Sequence, residues 1–166
     1  VPGLSRVTAI RAGLPCLALL TDGTVMAWGT GVLGDGSPAQ RDYASVVVPQ
    51  PALVSGLSDV ATMATGASVS GAVRHDGSVW VWGGNNLGAL GLGKPRAPAD
   101  GADQLVPARL PSITGAADLS LGSGSTIVLG DGTIRTWGDE RLGATGRTGI
   151  ERVATPTTVP GVSNVV

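Results

Sequence analysis

Three aspartates stand at a fixed spacing in this chain, Asp22, Asp76 and Asp131, 54 and 55 residues apart and each followed by glycine. Repeated carboxylates are the material of general acid–base and cation chemistry. Asp-Gly between β-rich segments is also the residue pair of a tight hairpin, where a type I′ turn asks for positive φ at both central residues. That one requirement accounts for all three copies together, so they read as hairpin hinges.

Other residues invite chemistry singly. His75, the one imidazole, lies in Arg74-His75-Asp76-Gly77 and could act as a base or pH sensor. Nothing near it in sequence marks a nucleophile, and it reads as an exposed turn residue. Cys16, the one thiol, sits inside the apolar run Leu14 to Leu20, where an inert buried side chain is expected rather than a reactive one. Gly29-Thr30-Gly31-Val32-Leu33-Gly34 spells a dinucleotide fingerprint, but Asp35-Gly36-Ser37-Pro38 follows instead of a helix to receive a pyrophosphate. Gly88-Ala89-Leu90-Gly91-Leu92-Gly93-Lys94 spells most of a phosphate loop, but Pro95 stands where a hydroxyl should meet magnesium. Asp100-Gly101-Ala102-Asp103-Gln104 has oxygens that could hold calcium, at a spacing that fits no calcium-loop motif. No cofactor, no metal and no enzymatic activity are expected.

The elements that position these residues repeat. Each Asp-Gly opens a short strand that ends in Trp-Gly: Trp28-Gly29, Trp82-Gly83 and Trp137-Gly138. A second mark, Leu33-Gly34, Leu87-Gly88 and Leu142-Gly143, follows at the same distance in each copy. A period of about 50 residues signals a propeller or solenoid. A lead-in strand precedes each turn strand (Val7 to Ala12; Val60 to Thr65; Leu119 to Leu121), then a second strand (Cys16 to Leu20; Val69 to Arg74; Ser125 to Leu129). After Trp-Gly, a variable connection returns through a last strand: Val46 to Val48, Leu105 to Leu110, and Val153 to Val159 interrupted by Pro156. The strand after the turn carries apolar side chains on both faces, which implies a sheet lying between two neighbours. The units open at Val54-Ser55-Gly56-Leu57 and Ile113-Thr114-Gly115-Ala116. The expected fold is all-β, with three four-stranded antiparallel β-propeller blades at 1–53, 54–112 and 113–159 and no helix of useful length.

Composition agrees with a single packed domain: 166 residues, 42% hydrophobic and 14% charged, with Gly 27 for many tight turns. Net charge is −1, which gives no field to gather nucleic acid or an anionic membrane, and neither is an expected partner. A lone cysteine makes no internal disulfide. The compartment is left open.

Val1-Pro2-Gly3-Leu4-Ser5-Arg6-Val7 returns near the end as Val159-Pro160-Gly161-Val162-Ser163-Asn164-Val165. Residues 160–166 therefore look like the start of a fourth blade. Three blades do not close a ring that uses roughly 4–8. The expected setting is a larger propeller chain, with self-assembly of two copies the lesser alternative.

These residues resemble the repeats of the regulator of chromosome condensation family, through Ala12-Gly13, Leu17-Ala18-Leu19, and Trp82-Gly83-Gly84-Asn85-Asn86-Leu87-Gly88-Ala89-Leu90-Gly91-Leu92-Gly93. The resemblance implies a seven-bladed ring. Cys16, Val69 and Ser125 take the slot where that family carries His, and Asp35, Ala89 and Ala144 that of its Gln. With those departures, guanine-nucleotide exchange on a small GTPase is not the implied activity. A protein-binding platform is, as among the family's chromatin binders, its domains beside ubiquitin ligases and a secreted bacterial inhibitor of β-lactamases.

Recognition on such a scaffold belongs to the variable loops. The candidate contact residues are Arg41, Asp42 and Tyr43 in the first, Lys94, Arg96, Asp100 and Asp103 in the second, and Arg141, Arg147 and Arg152 around the third. Tyr and Arg are the types favoured in binding hot spots. The expected function is a non-catalytic module that presents these loops to a protein partner. The alternatives are a structural segment that joins further blades, of the same chain or of another copy, and an enzyme-inhibitor-like propeller.

Overall fold

The computed structural model describes residues 1–37, 48–66, 68–85, 88–93, 103–122, 124–139 and 152–165. Its elements are strands, with no α-helix among the described residues. The first sheet holds β1 (Val7–Arg11), β2 (Cys16–Leu20), β3 (Val25–Gly29) and β4 (Val48–Leu53). The second holds β5 (Val60–Thr65), β6 (Val69–Arg74), β7 (Val79–Gly83) and β8 (Gln104–Arg109). The third holds β9 (Ala116–Ser120), β10 (Gly124–Leu129), β11 (Ile134–Asp139) and β12 (Arg152–Thr158). Strands lie in chain order in each sheet and every pairing is antiparallel.

Apolar residues on both faces of the turn strands fill two cores. Leu17, Leu19, Val25 and Ala27 of the first sheet pack against Met63, Ala72 and Trp82 of the second. Val73, Val79 and Val81 on the second sheet's other face pack against Leu119, Ile127 and Trp137 of the third. The sheets meet through β1, β2, β5, β6 and β9, which places the lead-in strands where the sheets converge.

The hairpin turns differ from the expected type. The Gly23 N–H donates to the Leu20 carbonyl at 3.0 Å and the Leu20 N–H to that of Thr24 at 2.9 Å. Gly23 has φ +77, and Asp22 is not among the residues at positive φ. This is a three-residue loop, a type I turn closed by a left-handed glycine bulge, rather than type I′. The same two bonds recur at Arg74, Gly77 and Ser78 and at Leu129, Gly132 and Thr133.

Three further expectations change. The first return strand begins at Val48 and runs through Pro49 and Pro51 to Leu53, and β12 continues through Pro156. These are outer edge strands, where a proline nitrogen faces solvent and no ladder bond is lost. The third lead-in strand starts at Ala116, three residues before the expected Leu119. Gly115 has φ +68 and takes the place of Arg6, Asp59 and Asn164, at φ +56, +57 and +59, so Ser112 rather than Gly115 corresponds to Gly56.

Candidate functional site

β3, β7 and β11 all run away from the Asp-Gly turns, and the variable connections leave from their far ends. Each connection returns to the point it left: Gly29 pairs with Val48, Gly83 with Gln104, and Asp139 with Arg152. All three therefore spring from one end of the sheets, opposite the Asp-Gly turns. Arg41, Asp42 and Tyr43, Lys94, Arg96 and Asp100, and Arg141 and Arg147 lie outside the described residues. Asp103 is half-buried next to the start of β8, and Arg152 opens β12.

The roots of these connections explain the glycine-rich strings. The Gly36 N–H donates to the Leu105 carbonyl of the next sheet's outer strand at 3.1 Å, and Gly93 donates to Ala154 at 2.9 Å. A Cβ on Gly34 would stand 2.8 Å from Trp82 Nε1, and one on Gly91 would stand 2.9 Å from Trp137 Nε1. Gly34 therefore corresponds to Gly91, and Leu33 to Leu90; the expected pairing with Leu87-Gly88 misplaces the mark because the first connection is three residues shorter here. The family's Gln slot in the first unit is accordingly Val32, buried like Ala89, and not Asp35. Both nucleotide-like motifs are joints between sheets.

Strand register also sets the polar partners of the tryptophans. Cys16 faces Trp28, Ser70 faces Trp82 and Ser125 faces Trp137. Val69 instead pairs with Gly83, so it does not share a slot with Cys16 and Ser125. Ala89 O accepts from both Ser125 Oγ at 3.1 Å and Trp137 Nε1 at 2.8 Å. Cys16 is half-buried, not enclosed, and its thiol donates to the Gly13 carbonyl at 3.7 Å. Trp28 is likewise half-buried, whereas Trp82 and Trp137 are inaccessible to solvent.

The opposite end carries the charged groups of the turns. The Thr24 hydroxyl, then its backbone N–H, donates to Asp22 and holds that carboxyl below the usual aspartate range. Thr133 does the same for Asp131, and Ser78 for Asp76. Each carboxylate closes its own turn in this way. His75 is exposed, and its backbone N–H donates to the Asp59 carbonyl at 3.0 Å. The Arg74 guanidinium lies 4.6 Å from the centroid of the Trp80 ring and donates to the Gly56 carbonyl at 3.2 Å. Among the described residues, no group of three or more His, Cys, Asp or Glu could hold a metal ion.

The sequence reading missed the close approaches at the loop end. A Cβ on Gly13 would meet Thr65 Cγ2 at 2.5 Å, and one on Gly66 would meet the Leu121 carbonyl oxygen at 3.1 Å. The repeated position of Gly13, Gly66 and Gly122 was the available signal.

Comparison with known proteins gives a consistent result. Residues 76–129 match the model of the regulator of chromosome condensation (RCC1) repeat. The ultraviolet-B receptor UVR8 of Arabidopsis thaliana is 33% identical over 167 residues, covering 96% of this chain and 35% of the receptor. The E3 ubiquitin-protein ligase HERC2 of Homo sapiens is 28% identical over 98% of this chain, which spans 3% of the ligase. Among solved structures, Prp20p of Saccharomyces cerevisiae, studied for its binding to Gsp1p and histones, superposes with a TM-score of 0.80 at 21% identity. That match covers 95% of this chain and 39% of Prp20p. Human WBSCR16 superposes with a TM-score of 0.71 at 23% identity, over 93% of this chain and 38% of its own.

Proposed function

We propose that this chain, which belongs to the regulator of chromosome condensation repeat family, is a non-catalytic protein-binding module whose variable connections form one contact face. The observation that carries this reading is the common origin of the three connections at the end of the sheets opposite the Asp-Gly turns. Loops of differing composition on a repeated, rigid scaffold are where binding specificity concentrates. The chain is similar to a ubiquitin-protein ligase, an ultraviolet-B receptor and a secretion-regulating guanine nucleotide exchange factor, proteins of differing function, as expected where specificity lies in the loops and not in the scaffold.

The test compares proteins captured by the wild-type chain with those captured by an Arg41→Ala, Tyr43→Ala, Arg96→Ala variant of equal thermal stability. Loss of specific bands in the variant is expected. An unchanged set of bound proteins would remove these loops from the contact face.

A second reading rests on a separate bond. The Val165 N–H donates to the Gly132 carbonyl at 3.0 Å, as Val60 does to Gly23 at 3.1 Å and Ala116 to Gly77 at 3.0 Å. On that reading residues 160–166 open a next blade, and the chain supplies sheets to a larger ring.

A further inference from the structure

Every Asp-Gly pair among the described residues is followed by a hydroxyl residue: Asp22-Gly23-Thr24, Asp35-Gly36-Ser37, Asp76-Gly77-Ser78 and Asp131-Gly132-Thr133. The remaining pair, Asp100-Gly101, is followed by Ala102 and lies outside the described residues. In each described pair the hydroxyl residue grips the carboxylate. Thr24 donates its hydroxyl and its N–H to Asp22 Oδ1 at 2.6 and 3.0 Å, and Thr133 donates the same two groups to Asp131 Oδ1 at 2.7 and 2.9 Å. Ser37 donates its N–H and hydroxyl to the two oxygens of Asp35, at 2.9 and 3.0 Å. The Ser78 N–H reaches Asp76 at 2.8 Å, and its hydroxyl donates to the same carboxylate. The glycine nitrogens are committed as well. Gly23, Gly77 and Gly132 donate to the carbonyls of Leu20, Arg74 and Leu129 at 3.0, 2.9 and 3.0 Å, and Gly36 donates to Leu105 at 3.1 Å.

Both partners of an intramolecular reaction are held by these bonds. In an Asp-Gly pair the glycine nitrogen can attack Cγ of the preceding carboxyl, since glycine has no Cβ to hinder it. The N–Cγ bond forms, a Cγ–O bond breaks, and the departing oxygen carries off the amide and acid protons as water. Water that returns at Cγ restores aspartate. Water that returns at the backbone carbonyl carbon leaves isoaspartate, with the main chain routed through the side chain. Ring closure requires the glycine peptide to turn from its acceptor and the carboxyl to leave the hydroxyl, so it waits on local opening. The same donors hold the carboxyls of Asp22, Asp76 and Asp131 below the usual aspartate range, which depletes the neutral acid from which water departs. We propose that Asp22, Asp35, Asp76 and Asp131 are latent isoaspartate sites, each locked in the folded chain by the hydroxyl two residues on. The lock guards the joints between units. The carbonyls of Gly23, Gly77 and Gly132 accept from the N–H groups of Val60, Ala116 and Val165 at 3.1, 3.0 and 3.0 Å, and the Gly36 N–H bonds the outer strand of the next sheet. An extra main-chain carbon beside any of these glycines would displace a bond that ties one unit to the next.

Prolonged incubation of the 166-residue chain at neutral pH tests it, with the folded chain compared to the chain unfolded in guanidinium chloride. Isoaspartate is detected by methyl transfer from S-adenosylmethionine with an isoaspartyl methyltransferase and located by peptide mass spectrometry. The folded chain should accumulate it at these sites at least about tenfold more slowly than the unfolded chain. Thr24→Val keeps the backbone donor and removes the hydroxyl; it should raise the rate at Asp22 about fivefold and leave Asp131 unchanged. Thr24→Ser keeps the hydroxyl and should retain the wild-type rate. Circular dichroism verifies the fold, and Thr133→Val makes the reciprocal comparison, with Asp22 as the reference. Equal rates in the folded and unfolded chains overturn the proposal. So does a Thr24→Val chain whose Asp22 rate is unchanged, or one in which Asp131 rises as much as Asp22.

Discussion

The indole N–H of Trp137 donates to the carbonyl oxygen of Ala89 at 2.8 Å, across the joint between the third and second sheets. The indole N–H of Trp82, in the same slot one unit earlier, is buried and has no hydrogen-bond partner among the described residues. Trp→Phe removes a similar volume at both sites but a hydrogen bond at only one. Trp137→Phe should therefore cost about 1 kcal/mol more than Trp82→Phe, the usual net value of one such bond. Urea midpoints of the two variants measure the difference; equal costs would assign the bond no net role.

Gly77 and Gly56 separate backbone strain from close packing. Both have positive φ, +73 and +68, but a Cβ at Gly77 would lie 2.7 Å from Gly115 Cα, while one at Gly56 would meet nothing within 4 Å among the described residues beyond its chain neighbours. Gly56→Ala should cost about 1–2 kcal/mol, the left-handed penalty alone. Gly77→Ala adds overpacking of about 1–3 kcal/mol because backbone, not a side-chain tip, must yield. Comparable midpoints for the two variants would place no joint at Gly77.

Acid should weaken the turns. The carboxyls of Asp22, Asp76 and Asp131 are held low by donors from residues 24, 78 and 133, so each favours the folded state when ionised. That contribution is complete above the ordinary aspartate pKa of about 3.9 and is lost as pH falls through the lowered folded values. Urea midpoints should be flat in this respect from neutrality to about pH 5 and decline below about pH 4. Asp22→Asn with Asp131→Asn should shrink the decline, and a midpoint that rises on acidification would reverse the assigned sign.

Arg74 ties the second sheet's turn to its lead-in segment through the Trp80 ring and the Gly56 carbonyl. In the third sheet Arg135 occupies the position of Trp80 and donates to Ser112, the counterpart of Gly56, at 3.1 Å. Arg74→Ala should cost about 1–2 kcal/mol, combining a partly exposed cation–π contact with one hydrogen bond. Trp80 fluorescence should shift towards that of a more solvated indole. An unchanged spectrum would show that the stacked geometry is not populated in solution.

Much of the scaffold was legible from local chemistry. Asp-Gly placed the hairpins because few residues tolerate a left-handed conformation, and alternation on either side set the faces of the strands. The turn type was not legible, because counting residues does not reveal that the loop includes Thr21, His75 or Gly130. Proline in β4 and β12 misled for a related reason: it forbids a strand only where its nitrogen must donate, and the sequence does not say which strands lie at an edge. On the candidate contact face, the sequence named the loops, and the strand pairings at their roots put them on one side.

By itself, the sequence determined the repeat, because one local pattern recurs along it, and the turn positions, because each depends on residues a few places apart. Tertiary structure alone decided that Gly34 answers to Gly91 and that Gly13 meets Thr65, because such equivalences are set by what a neighbouring sheet places against each residue. It also decided that Trp28 stays half-exposed while its two repeats are sealed, although all three share one local sequence pattern. Burial is a property of the neighbour as much as of the residue, and within this chain that neighbour lies some fifty residues away.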